Sequence, residues 1–175
     1  MLSHRKARAR LIRGEEKLAQ EHEYTCRIDW TGNRGEGTRT YHGYDRTWDI
    51  ITPDKRTINC SNDPLLGGDP FLPNPEDLLL ASLSSCHMLW YLHLASKAQI
   101  IVHRYTDDPL GVGQVHPDGS GQFLSATLRP AIVVAEGTDV EQAEAIHHDV
   151  HRYCFIARSV NFPVTYAPTF RILMG

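Results

Sequence analysis

Cysteine is scarce in this chain: four residues among 175, at positions 26, 60, 86 and 154. No two of them form a C-x-x-C pair, which excludes a zinc ribbon and a thioredoxin-type redox motif. A secreted scaffold stapled by disulfides packs more cysteine into fewer residues. Charge of one sign is also lacking. The formal net charge is -3, so nothing electrostatic argues for nucleic acid as a partner. No apolar stretch follows the basic start, so no secretory signal peptide is expected. The richest apolar run, Leu78 to Ala95, is interrupted by Ser82, Ser84, Ser85, His87 and His93. It reads as a core helix rather than a membrane span. These absences point to a reducing, cytoplasmic compartment, with neither a membrane nor nucleic acid as partner.

What is present suits a globular chain, with 41% hydrophobic and 22% charged residues, enough for one domain with a real core. Residues 1–21 stand apart. Arg5, Lys6, Arg8, Arg10 and Arg13 precede the first acid, Glu15, and the segment reads as a mobile, solvated extension. The domain proper is expected over 22–175.

Its pattern begins as β. Strand character covers Tyr24–Trp30, Thr38–Tyr44 and Thr47–Ile51, with a turn at Gly32–Gly37. Cys60 to Pro73 is rich in Gly, Pro, Asn and Asp and reads as a loop. Its Leu65, Leu66 and Phe71 imply that it packs on something. Asn74-Pro75-Glu76-Asp77 is a strong helix start, combining a capping residue, Pro at the first position and acids at the positive dipole end. That helix runs to about Lys97, is apolar on nearly all faces and is expected to be buried on all sides. Strand character returns at Ile100–Tyr105 and Phe123–Val134. Gly137-Thr138-Asp139 starts a second helix, from about Val140 to Tyr153, and Val164–Leu173 reads as a final strand. The order gives an α+β fold.

Cys86 lies deep in the first helix and Cys154 late in the second. Two solitary thiols far apart in sequence can form an attacking and resolving pair, the skeleton of a thiol-based peroxidase. An attacking thiol must be ionised, which positive charge or a helix N-terminus favours. Cys86 lies eleven residues after Pro75, beyond reach of the dipole. Its neighbours at three and four residues, Ser82, Leu83, Leu89 and Trp90, carry no charge. An activating cation must come from elsewhere; without one, Cys86 is an inert core thiol. Glu76 is ten residues away, roughly 15 Å along a straight helix. If both serve one site, a second copy of the helix must bring its Glu76 across. This favours a homodimer.

Other chemistry stays open. His147, His151 and Cys154 recur at helical spacing, and imidazole with thiolate binds zinc. The alternative is therefore a non-catalytic dimer binding a metal there, or an apolar ligand at its interface. Cys26 and Cys60 read as structural, and His87 as core packing or a helix-end contact.

Trp30-Thr31-Gly32-x-x-Gly35-x-Gly37-Thr38, then Asn74-Pro75-Glu76-x-Leu78-Leu79 with Cys86 ten after the Glu, then Cys154, resemble the OsmC/Ohr family over about residues 22–171. These are the osmotically inducible and organic hydroperoxide resistance proteins. The run Cys154–Asn161 is similar to the OsmC-like branch, since Phe155 stands where Ohr proteins carry Pro. The resemblance implies curved antiparallel sheets wrapped around long central helices in an intertwined homodimer. It implies reduction of organic hydroperoxides, an antioxidant activity with no cofactor. Cys86 would be the peroxidatic thiol, Cys154 the resolving thiol, and Glu76 the acid orienting an activating Arg. Cys60–Pro73 holds no Arg, so Arg34 or Arg46 is favoured over Arg39. Leu83, Trp90 and Phe71, with Leu65, Leu66 and Leu89, would give an apolar lining that suits an organic hydroperoxide. An external dithiol, of which a lipoylated protein is one kind, would complete the cycle.

Overall fold

The computed structural model describes residues 20–174. The basic extension expected at 1–21 lies, up to residue 19, outside them. The chain divides after Asn74 into two compact units.

The first unit is a three-stranded antiparallel sheet of β1 (Arg27–Trp30), β2 (Thr47–Ile51) and β3 (Ile58–Ser61), in that order. Trp30 faces Trp48 across one pair, and Asp49 faces Asn59 across the other. The strand expected at Thr38–Tyr44 does not form; that segment is a run of turns. Local hydrogen bonds win over a ladder there. The Gly43 N–H donates to the Thr40 carbonyl at 3.0 Å, and Arg46 Nη2 donates to the Tyr41 carbonyl at 3.0 Å. Cys60 does not open a loop but lies buried within β3. In the segment after it, Leu65 and Phe71 are 94% and 92% exposed, so the packing expected of them is not made within the chain.

The second unit holds α1 (Pro75–Lys97), β4 (Val102–Asp107), β5 (Leu110–Val115), β6 (Gly121–Leu128), β7 (Pro130–Ala135), α2 (Val140–Tyr153), β8 (Val164–Tyr166) and β9 (Thr169–Leu173). Two three-stranded sheets form, ordered β4-β7-β9 and β5-β6-β8. Each is mixed: β4 and β5 pair antiparallel with β7 and β6 respectively, while β8 and β9 pair parallel with β6 and β7 respectively. The single strand expected over Phe123–Val134 therefore changes sheets at Arg129, and the one expected over Val164–Leu173 changes at Ala167-Pro168. Asp107 anchors the first corner, accepting from the Arg129 N–H and from the Ser84 hydroxyl on α1, each at 2.6 Å. The fold is α+β.

Helix α1 starts at Pro75 with Glu76 and Asp77 in its first turn and Lys97 in its last. It ends without a glycine: Gln99 takes φ 58, and the N–H of Ile100 reaches back to the Ala95 carbonyl at 2.9 Å. Within the chain α1 buries one stripe, Leu83, His87, Tyr91 and Ala95, at every fourth residue. The opposite stripe of Ala81, Ser85, Leu89 and His93 is exposed, so the burial expected on all sides is not met by one chain. By length and composition α1 is apolar enough to cross a membrane. Two of its polar side chains, Ser84 and His87, are instead bonded to Asp107 and His147 of the same unit.

Candidate functional site

Cys86 and Cys154 meet because α1 and α2 share one core. Tyr91 and Ala95 of α1 pack with Ala143, Ile146 and Val150 of α2 and with Ile132 and Val134 of β7. Cys86 sits beside the buried stripe of α1, half-buried, and packs on this cluster, to which Cys154 belongs. Cys154 is not inside α2 but caps it. Its N–H still reaches the Val150 carbonyl at 2.9 Å, while its own backbone, at φ -66 and ψ 100, leaves the helix. The chain then folds back, and the N–H groups of Ile156 and Ala157 point at the Cys154 sulfur. The Cys154 thiol lies next to Cys86, close enough to interact with it. Both are free thiols.

Burial pushes the Cys154 thiol up to about 11, with the Cys86 contact acting in the same direction and the two N–H groups opposing it. Cys154 is therefore a neutral thiol at pH 7, sealed from solvent, while Cys86 retains exposed surface. The two sulfurs are adjacent but unlike.

Beside them lies a feature that the sequence reading did not assemble. His87 Nε2 and His147 Nδ1 are 2.8 Å apart, 5% and 0% exposed. The rings stack at 5.1 Å between centroids, and His147 also stacks on Tyr91 at 4.4 Å and on Tyr166 at 5.3 Å. Burial lowers His87 to about 4, with the Asp107 charge opposing and His151 assisting. It lowers His147 to about 3, assisted by His87 and His148. His87 was expected to be a packing residue and His147 a candidate zinc ligand. Each sits on an apolar stripe of its helix, which is the signal that could have paired them.

The metal reading fails on this geometry. His147 is committed to His87, His151 is exposed, and Cys154 has left the helical face that aligned all three. Among the described residues no group of three or more His, Cys, Asp or Glu side chains converges on a common point.

Other expected site residues fall as follows. Glu76 is exposed in the first turn of α1. Leu83 is fully buried with Ala126 and Leu128, so it has no surface to offer a substrate; its place in the stripe closes it off. Trp90 is half-buried, stacked on Tyr153 at 4.9 Å and packed against the cluster that holds Cys154. In the first unit, Arg34 donates to the His42 carbonyl and lies 3.7 Å from Asp45, and Arg39 pairs with Glu36 at 3.2 Å. The Arg46 guanidinium sits over the rings of Tyr41 and Tyr44 at 4.2 and 5.1 Å. Each guanidinium thus has a partner within its own unit. A cavity of about 400 Å³ opens beside α1 and β4, lined among others by Asp77, Leu80, Ser84, Met88, Tyr105 and Asp107; neither thiol borders it.

The family model described as OsmC-like protein matches residues 67–167, more than half of the chain. No curated protein matches it in sequence. Among solved structures, an OsmC-like protein of unknown function from Vibrio cholerae is similar at 28% identity and a TM-score of 0.77, over 85% of this chain and 100% of that one. An organic hydroperoxide resistance protein from Elizabethkingia anophelis is similar at 18% identity and a TM-score of 0.64, over 86% and 99%. An organic hydroperoxide resistance protein OsmC from Legionella pneumophila shares the fold at 18% identity and a TM-score of 0.60, over 86% and 98%. The mixed sheets, the two helices and the matched segment that carries both Cys86 and Cys154 place this chain in the OsmC/Ohr family.

Proposed function

We propose that this protein is a thiol-dependent peroxidase that reduces organic hydroperoxides to alcohols. The observation that carries this reading is the adjacency of two unlike thiols, Cys86 with exposed surface and Cys154 held neutral by burial. The Cys86 thiolate attacks the distal oxygen of ROOH. The O–O bond breaks, RO⁻ takes a proton and leaves as ROH, and Cys86 becomes a sulfenic acid. Cys154 attacks that sulfur; its proton and the sulfenic hydroxyl leave as water, and an intramolecular disulfide forms. An external dithiol then restores both thiols by exchange. A lipoylated protein fits that chemical class. Steady turnover of tert-butyl hydroperoxide with dihydrolipoamide tests the cycle; no turnover above the protein-free rate counts against it.

The same reading makes the protein a homodimer in the cytoplasm. The exposed stripe of α1, with Leu89 63% exposed, and the exposed Leu65 and Phe71 support a second copy covering them. Glu76 then acts across the dimer, orienting Arg34 or Arg46 toward Cys86 through a bidentate pair. Glu76→Gln is expected to slow alkylation of Cys86 roughly tenfold, the scale of one charge-assisted hydrogen bond, while sedimentation still gives a dimer. Arg34→Ala or Arg46→Ala should copy the loss. A wild-type alkylation rate in all three variants removes this trio from the site, and a folded monomer at micromolar concentration removes the shared-site arrangement.

A further inference from the structure

The proposed cycle leaves the buried His87–His147 pair unused, and as a stabilising device the pair makes little sense. Both rings lie in an aromatic and aliphatic core. His147 Nε2 is buried with no hydrogen-bond partner among the described residues. A polar atom in that condition is destabilising, and replacing both partners of such a bond by apolar groups of similar shape is often neutral or stabilising. A buried polar contact with that balance is best attested as a device that fixes register.

Its position says which register. His87 immediately follows Cys86 on α1, and His147 precedes Cys154 by seven residues on α2. The His87–His147 bond and the bond from the Tyr91 hydroxyl to the Ala143 carbonyl, 2.8 and 3.1 Å, tie α1 to α2, the first of them one residue from Cys86 and about two helical turns before Cys154. Apolar contacts along the two stripes would tolerate a small slide or roll of one helix on the other; a 2.8 Å N···N hydrogen bond between two rings flanked by Tyr91 and Tyr166 does not. The thiols need that precision. A disulfide forms only with the sulfurs at about 2.05 Å and a torsion near 90°.

We propose that His87 and His147 are positioning residues that hold α1 against α2 in the one register where Cys86 and Cys154 can join, so that closing the disulfide depends on them and the first attack on peroxide does not. This rests on the peroxidase reading for its place in a cycle, but the geometric claim applies to any oxidation of the two thiols. The pair is neutral near pH 7. Its titratable surroundings are Asp107 from β4, His148 and His151 from α2, Tyr91 from α1 and Tyr166 from β8.

The test separates the two steps. His147→Phe keeps the ring stack and deletes Nδ1; His147→Asn restores a polar atom near the Nδ1 position. After one equivalent of tert-butyl hydroperoxide, His147→Phe should consume peroxide within about twofold of wild type. Its disulfide should form at least tenfold more slowly, with sulfenic acid captured by dimedone, and His147→Asn should recover most of the rate. Without peroxide, oxidised dithiothreitol at fixed ratio to its dithiol exchanges directly with Cys86 and Cys154, two thiols becoming one disulfide as the reagent is reduced. His147→Phe should shift that equilibrium tenfold toward the thiols, about 30 mV. If His147→Phe alone fails to fold, because His87 is left buried without its partner, His87→Leu with His147→Phe removes both polar groups and carries the same expectations. A wild-type equilibrium in a folded variant overturns the proposal, as does equal slowing of both steps. If wild type ignores peroxide yet the dithiothreitol equilibrium shifts as stated, the peroxidase reading fails and the positioning role stands.

Discussion

Replacing Cys86 with Ser is expected to abolish the proposed consumption of organic hydroperoxide, by roughly a thousandfold or more, the scale on which removal of a nucleophile is felt. Cys154→Ser behaves differently. It should consume one equivalent and stall, because the sulfenic acid on Cys86 would have no thiol to condense with and would either persist or oxidise further. The asymmetry follows from burial. Cys154 is 1% exposed and its thiol is held up to about 11, so it is neutral and out of reach of an incoming hydroperoxide. It can act only on an atom already beside it, and Cys86 is that atom. Rapid-mixing thiol counts on the two variants check this. Equal single-turnover consumption by wild type and Cys86→Ser would remove Cys86 from the chemistry.

The second large effect is on stability in acid. His87 and His147 are lowered from 6.5 to about 4 and about 3, chiefly by burial. In the unfolded chain both imidazoles take up protons as the pH falls through 6.5; in the folded chain they do not until near 4 and 3. Over that window the unfolded state binds more protons, so stability falls with pH by about 1.4 kcal/mol per unit for each ring. For His87 alone the loss reaches about 3 kcal/mol by pH 4, a large share of the few kcal/mol that hold a domain together. Above pH 6.5 the pair contributes no pH dependence. Urea unfolding from pH 7.5 to 4.5 measures it, with the paired His87→Leu and His147→Phe variant as reference. Its curve should be flatter, and the gap from wild type should widen as the pH falls. Parallel curves would mean that the rings are not buried neutral.

Both helices were legible because their ends are written in single residues: Pro75 with Glu76 and Asp77 for α1, and Asp139, whose carboxylate caps the Gln142 N–H at 3.1 Å, for α2. The sheets were less so. Leu110–Val115 hides a strand behind Gly111 and Gly113, which weaken β character, although Gly111 is required where Phe123 leaves no room for a side chain. The Thr38–Tyr44 segment has strand-like composition but is held as turns by Arg34 and Arg46, which donate to the His42 and Tyr41 carbonyls. The two thiols stood out by their spacing from Glu76 and from each other. That Cys154 leaves the helix by capping it was not visible, and this change takes its thiol out of line with His147 and His151. The histidine pair was invisible for a simpler reason: its members are 60 residues apart, and only the packing of α1 on α2 joins them.

Peptide mapping after a single equivalent of tert-butyl hydroperoxide is the most direct measurement of the proposed chemistry. Reduced protein is mixed with the oxidant, remaining thiols are blocked, and the digest is read by mass spectrometry. Two thiols per chain should be lost for each equivalent, as one Cys86–Cys154 cross-link within a single chain, with Cys26 and Cys60 still free. Four surviving thiols, or oxidation that falls on Cys26 or Cys60 while Cys86 and Cys154 stay reduced, would contradict a peroxidase built on this pair.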